Sequence, residues 1–185
     1  MQWRIKQAAR VANEGGVIAY PTEAVYGLGC NPLDAAAVLR LLLLKRRNID
    51  QGLILVAADR EQLEDFVDFP GGKSGQAIEN SWPGPVTWLV PAQAWVPYWL
   101  TGDHDTLAVR VSEHPIVREL CREFAGPLVS TSANIHGHRP ARTALQVRRA
   151  FGGQIDYLVA GQTGKLAKPT EIRDALSGKI IRAST

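Results

Sequence analysis

Hydrophobic positions along the chain fall into short runs whose period keeps changing, and each change predicts an element. Ile5, Ala8, Ala9 and Ala12 recur at helical spacing, predicting a helix over 3–14 that ends at Gly15-Gly16. Val17 to Tyr20 is a continuous apolar run stopped by Pro21, as expected of a short buried strand. Asp34 can cap a helix running to about Lys45. Leu53 to Ala58 reads as a second buried strand, and Asp59-x-x-Gln62 as a capping box opening a helix through Leu63 and Phe66. Further strands are predicted at Val86 to Val90, Thr106 to Val111, Leu128-Val129 and Tyr157 to Ala160. Helices are predicted from His114 to Ala125 and from Thr143 to Phe151, and a terminal hairpin turns at Ser177-Gly178.

Strands interleaved with helices predict a layered arrangement, and the terminal hairpin makes the sheet mixed rather than purely parallel. Neither a repeat nor a linker divides the chain, so one domain over 1–185 is expected. Composition is ordinary for a globular protein, at 45% hydrophobic and 21% charged residues, which excludes a disordered chain. Cys30 and Cys121 are too few for a disulfide framework or a cysteine zinc site and read as small core residues. With no apolar run of bilayer length and no hydrophobic segment after Met1-Gln2-Trp3-Arg4, the expectation is a cytoplasmic protein without a membrane partner.

The net charge of +3 is unevenly placed. From Arg139 onward nine basic residues face three acids, whereas the first 138 residues carry twelve bases and fifteen acids. That asymmetry suits an anionic partner such as a nucleotide or RNA, although a solvated surface would also carry it.

Familiar phosphate loops are incomplete. Gly72-Lys73-Ser74 has Val67 where a Walker A sequence needs its first glycine, and Gly164-Lys165 has Val159 there. Gly27-x-Gly29 meets Pro32 at the third glycine position of a dinucleotide fingerprint. His136-Gly-His138 lacks companion ligands and reads as a surface loop. Of Trp82, Trp88, Trp95 and Trp99, at most one could serve as a stacking platform, the others belonging to the core.

Three polar clusters do fall at strand or helix ends. Pro21 to Gly29 sets Thr22 and Glu23 beside two glycines that permit close backbone approach. Lys45-Arg46-Arg47 ends an apolar helix, where cations either cap the helix dipole or hold polyphosphate. Ser130-Thr131-Ser132-Ala133-Asn134 offers a density of hydroxyl donors suited to carboxylate or phosphate oxygens. Together they outline an anion-binding cleft with no evident nucleophile or metal cage.

These clusters, with Ser81-Trp82-Pro83-Gly84-Pro85-Val86-Thr87, Ala108-Val109-Arg110, Pro169 to Asp174 and Ile180-Ile181-Arg182, resemble the YrdC/TsaC family in order and spacing over nearly the whole chain. The chain is similar to the short form of that family, whose members are threonylcarbamoyl-AMP synthases. The resemblance implies an α+β fold of three α/β/α layers, YrdC/RibB-like, with a twisted mixed sheet around a large concave basic cavity. It also implies conversion of L-threonine, bicarbonate (or carbon dioxide) and ATP to threonylcarbamoyl-AMP and pyrophosphate. That product would feed tRNA threonylcarbamoyl-transfer proteins acting on ANN-decoding tRNAs.

By position, the resemblance assigns catalysis to Lys45, Arg47, Ser132 and Asn134. It assigns ATP to Lys45, Arg47, Thr106, Asn134, Thr143 and Arg182, and threonine to Ala24, Arg110, Ser132 and Thr170. Magnesium would accompany ATP, held by phosphate oxygens and water, with no metal bound tightly by the protein. The chain departs from the family pattern at four places. Ala24 replaces threonine, leaving only backbone for a contact, and Val56 replaces histidine. Thr170 replaces serine, while Asn48 replaces a proline, which predicts a less rigid loop. A carbamoyl-transfer module of hydrogenase maturation would share the fold but sits in much longer chains. A non-catalytic RNA-binding protein of the same fold, contacting RNA or tRNA through the basic quarter, explains the charge asymmetry but not the hydroxyl cluster.

Overall fold

The computed structural model describes residues 1–164, 166 and 170–183. Lys165, Lys168 and Pro169, singled out above, lie outside the described residues. Strands β1 (Ile18–Pro21), β2 (Tyr26–Gly29), β3 (Ile54–Ala57), β4 (Val86–Pro91) and β5 (Thr106–Val111) are joined by β6 (Leu128–Ser132), β7 (Tyr157–Leu158), β8 (Glu171–Asp174) and β9 (Ile180–Arg182). They form one sheet in the order β7-β1-β2-β6-β3-β5-β4-β8-β9. Pairings β1/β7, β3/β5 and β4/β8 are parallel and the other five antiparallel, so the sheet is mixed as expected.

Helices cover both faces. On one side, α1 (Gln2–Asn13) and α5 (Pro115–Phe124) pack together. The small Ala8, Ala9 and Ala12 of α1 and Ile116, Val117, Leu120 and Cys121 of α5 close over Ile18, Tyr20, Val56 and Leu128. Each fully buried aliphatic side chain there contributes about 1.5–3 kcal/mol. On the other side, α2 (Ala35–Lys45) and α6 (Ala144–Phe151) bury Val38, Leu41, Val147 and Phe151 against Leu28, Leu55, Val109 and Val129. Asp34 caps α2 by accepting from Ala37 N at 3.0 Å, and Thr143 with Gln146 forms a capping box on α6. The three layers expected from the resemblance are present.

Three elements were not expected: the buried strand β2 within the Pro21 to Gly29 cluster, α3 (Gly72–Ser81), which buries only Ile78, and α4 (Tyr98–Thr101), a single turn before β5. The helix expected from Asp59 through Phe66 is reduced to a 3-10 turn at Glu61–Leu63. Its capping glutamine is engaged elsewhere, with Gln62 accepting from Ala58 N at 2.8 Å and donating to Cys121 O at 3.1 Å. Strand β6 runs on through Ser132, whereas the strand expected at Tyr157 to Ala160 has two residues. All four clustered tryptophans place their indole N–H on protein acceptors: Val86 O, Ser81 Oγ, Asp65 O and Pro32 O. Among the described residues no helix is long and apolar enough to cross a membrane.

Candidate active site

The helix pair α1/α5 covers only part of its face of the sheet. The uncovered part forms a cavity of about 370 Å³. Strand register decides which residues reach it. Gly27 lies opposite Ser132, Ile54 opposite both Ser130 and Ala108, and Leu89 opposite Ala108. These residues, with Thr106, Arg110 and Ile172 at two-residue spacing along their strands, line the cavity. The intervening Leu28, Val129, Leu55 and Val109 point into the opposite core. Ser130 and Ser132 of the hydroxyl cluster thus belong to a strand face that fronts the cavity, while Val129 of the same strand points into the core.

Glycine is required where β2 is squeezed between neighbours. A Cβ on Gly29 would meet Val129 O at 2.3 Å and Tyr20 Oη at 2.8 Å. The loop from Pro21 to Val25 forms one wall, with Thr22 and Ala24 on the cavity. Opposite it stand Arg47, Gln51, Gly52, Leu100, Thr101 and His104. Apart from Arg47, no sequence motif marks these residues; they reach the cavity because the turn after α2 packs on α4, where Gly52 abuts the Thr101 carbonyl.

The end of α2 aims its two cations differently. Lys45 is the last helical residue, Arg46 is left-handed at φ 51, and Arg47 N returns to Leu42 O at 3.0 Å. Arg46 is consequently exposed, whereas Arg47 lines the cavity and donates from Nη2 to Gly52 O at 2.9 Å. Asn48 caps the following 3-10 turn, accepting from Asp50 N and donating to Asp50 Oδ2 at 2.8 Å. The side chain that replaces proline therefore makes two hydrogen bonds within its own loop.

Lys45 does not line the cavity. It is buried behind the end of β6, where Nζ donates to the carbonyls of Ser132 and Asn134, the latter at 2.9 Å. Burial, and then the charge of Arg47, lower this ammonium to about 8. Asn134 also stands behind the wall. Its Oδ1 accepts from Ser132 Oγ at 2.6 Å, and its Nδ2 donates to Ile135 O and to His138 O at 2.8 Å. Thr143 is away from the cavity altogether, its hydroxyl accepting from Gln146 N at the start of α6. Of the residues assigned by resemblance, the structure brings Ala24, Arg47, Thr106, Arg110, Ser132, Thr170 and Arg182 to one cavity. Lys45 and Asn134 sit immediately behind it. No tryptophan lines it, so the candidate stacking platform is absent from its walls.

Three arginines converge here. Burial, then the charge of Arg182, lower the Arg47 guanidinium; burial, then the charge of Arg110, lower that of Arg182. Mutual repulsion among cations clustered on one cavity, with Arg110 buried, Arg47 half-buried and Arg182 exposed, suits a site shaped for anions. Among the described residues Arg110 is the one arginine of the three with an acidic partner, Glu23, at 3.3 Å. Burial would raise the Glu23 carboxyl, but Arg110 and the Ser112 hydroxyl overcome that and hold it below its ordinary range. Arg110 Nη1 donates to Thr170 Oγ1 at 2.9 Å, and Thr170 O accepts from Arg182 Nη2 at 2.9 Å.

Among the described residues no group of three or more His, Cys, Asp or Glu side chains could hold a metal ion. A metal held by the protein itself does not fit this donor set. Cys30 and Cys121 lie outside the cavity, and no serine or threonine on it pairs with an imidazole. What the arrangement can do is hold two anionic partners side by side and neutralise their repulsion.

A family model, Sua5/YciO/YrdC, described as telomere recombination, matches residues 10–184. The chain is 51% identical over 181 residues to the threonylcarbamoyl-AMP synthase of Cellvibrio japonicus, covering 98% of this chain and 96% of that protein. Among solved structures, a variant of P. abyssi Sua5 is similar with a TM-score of 0.94 at 34% identity, over 100% of this chain and 57% of that one. P. abyssi Sua5 complexed with L-threonine gives a TM-score of 0.88 at 36% identity, over 94% of this chain and 51% of that one. This chain therefore spans little more than half the length of those two structures.

Proposed function

The chain belongs to the Sua5/YciO/YrdC family, and from that membership we propose that it is a threonylcarbamoyl-AMP synthase. The observation that carries this reading to the site is the division of charge among the three arginines. Among the described residues Arg47 and Arg182 face the cavity without an acidic partner, which suits a triphosphate, whereas the balanced Arg110 suits the single carboxylate of threonine.

The threonine amine adds to carbon dioxide and loses a proton, giving a carbamate. A carbamate oxygen then attacks the α-phosphorus of ATP, forming an O–P bond as the bond to the pyrophosphate oxygen breaks. That makes the enzyme a nucleotidyltransferase with no covalent intermediate. The protein's part is alignment and charge neutralisation. Arg47 and Arg182 hold the phosphates, Thr106 the nucleotide, and Arg110, Ser132 and Thr170 the threonine, with Ala24 contributing backbone. Lys45 adds positive charge from behind the Ser132–Asn134 wall, and Asn134 fixes the Ser132 hydroxyl. Magnesium enters as part of the substrate, on phosphate oxygens and water. The product is consumed by proteins that transfer the threonylcarbamoyl group to adenosine beside the anticodon of ANN-decoding tRNAs.

Pyrophosphate release tests the reading. It is expected with ATP, threonine and bicarbonate together and to fall to background when any one is omitted. Release that ignores threonine would overturn it.

A further inference from the structure

Among the described residues Glu23 is the one acidic side chain paired with the cavity's arginines, and it does not itself line the cavity although Thr22 and Ala24 on either side do. Its side chain is turned away and buried, with Oε2 3.3 Å from Arg110 Nη2 and Oε1 accepting from Ser112 Oγ at 2.5 Å. Ser112 is fixed in turn by the backbone N–H of His114, 3.1 Å from its Oγ. The main chain of Glu23 is gripped as well. Leu166 N donates to Glu23 O at 3.2 Å, and a Cβ on Gly164 would meet that oxygen at 2.6 Å.

The other nitrogen of the guanidinium, Nη1, is held by Thr170, so Arg110 is contacted at both Nη1 and Nη2. Arg110 Nε is buried without a protein partner. Across the same cavity Arg47 and Arg182 have no carboxylate facing them among the described residues. Three equivalent cations would give a polyphosphate no reason to prefer one end. One paired and two unpaired cations give it a strong one, because a second multivalent anion at Arg110 would be repelled by Glu23.

We propose that Glu23 is a positioning residue that reserves the Arg110 end of the cavity for a monocarboxylate amino acid and keeps polyphosphate out of it. The inference rests on the synthase reading above. It acts through Arg110: the pair carries no net charge, which matches a single carboxylate better than a phosphate chain, and the buried ion pair fixes the plane of the guanidinium.

The test is Glu23→Gln, which keeps shape and loses charge, compared with Glu23→Asp and wild type by steady-state kinetics. In Glu23→Gln the KM for threonine is expected to rise about tenfold, while the KM for ATP stays within about twofold. Pyrophosphate, added as a probe, is expected to become competitive with threonine in Glu23→Gln and not in wild type. A merely structural role would not produce that competition. Glu23→Asp is expected to restore the exclusion in part. Ser112→Ala, which removes one bond to the carboxylate, gives the same direction at about threefold and serves if Glu23→Gln fails to fold. An unchanged threonine KM, or threonine and ATP KM values rising together, overturns the proposal. Wild type that turns over without threonine overturns instead the synthase reading on which it rests.

Discussion

Arg110 and Thr170, sixty positions apart in the sequence, meet at 2.9 Å on the cavity floor, and the same threonine takes Arg182 on its carbonyl. One residue thus joins the cation assigned to the amino acid and a cation assigned to the nucleotide. Its two contacts can be separated by substitution. Thr170→Val removes the hydroxyl but keeps the carbonyl bond, and is expected to raise the threonine KM about fivefold to tenfold. Thr170→Ser is expected to stay near wild type. Steady-state kinetics with each substrate varied in turn checks both.

Arg47 reaches the cavity because the left-handed Arg46 turns the chain back on α2. Arg47→Ala is expected to lower kcat/KM for ATP by about 100-fold or more, and Arg47→Lys to recover only part, since a point charge cannot reproduce the fork. The far-ultraviolet circular dichroism should not change in either variant. Activity equal to wild type in Arg47→Ala would refute its placement on the phosphates.

Much of the fold was legible because alternation and helical spacing coincide with tertiary burial. Ile5, Ala8, Ala9 and Ala12 form the buried face of α1, and Thr106 to Val111 is β5 to the residue. Strand β2 was hidden because Gly27 and Gly29 read as loop. At Gly29 the strand lies so close to Val129 and Tyr20 that a side chain would collide, and at Gly27 a Cβ would sit 3.3 Å from Ser130 Oγ. Helix α3 was hidden because Gly72, Lys73, Ser74 and Gly75 carry no apolar face. The helix expected at Asp59 gave way to sheet contacts, with Asp68 N on Pro91 O at 2.8 Å and Val67 bridged to Ala92.

At the site, the motifs located the cations and hydroxyls but not the geometry between them. Nothing in Lys45-x-Arg47 distinguishes a side chain behind the wall from one on it. The sequence marks Thr143 as the start of the helix to Phe151, and its capping box with Gln146 engages the hydroxyl that the resemblance assigns to ATP. Glu23 stood within a quoted motif, but its bond to Arg110 spans the two halves of the chain.

Lys45 also makes a stability prediction whose sign is opposite to that of a lysine gaining an acidic partner. Its ordinary value of 10.5 falls to about 8 in the folded chain. Between those values the unfolded chain keeps a proton that the folded chain has lost. Stability therefore rises with pH from about 8 to 10.5, with an upper limit of about 3 kcal/mol from this group. Urea unfolding of wild type and Lys45→Met across that range should show the rise in wild type and lose it in the variant. Parallel curves would mean that Lys45 is not desolvated as described.

The central claim is that the three arginines assemble threonine, carbon dioxide and ATP into one adenylate. Mass spectrometry of the product formed from ATP, threonine and isotopically labelled bicarbonate tests it most directly. The account predicts a species with the mass of threonylcarbamoyl-AMP that carries the label and appears together with pyrophosphate. Tight RNA binding with no such species, or AMP joined to threonine without the labelled carbon, would contradict it.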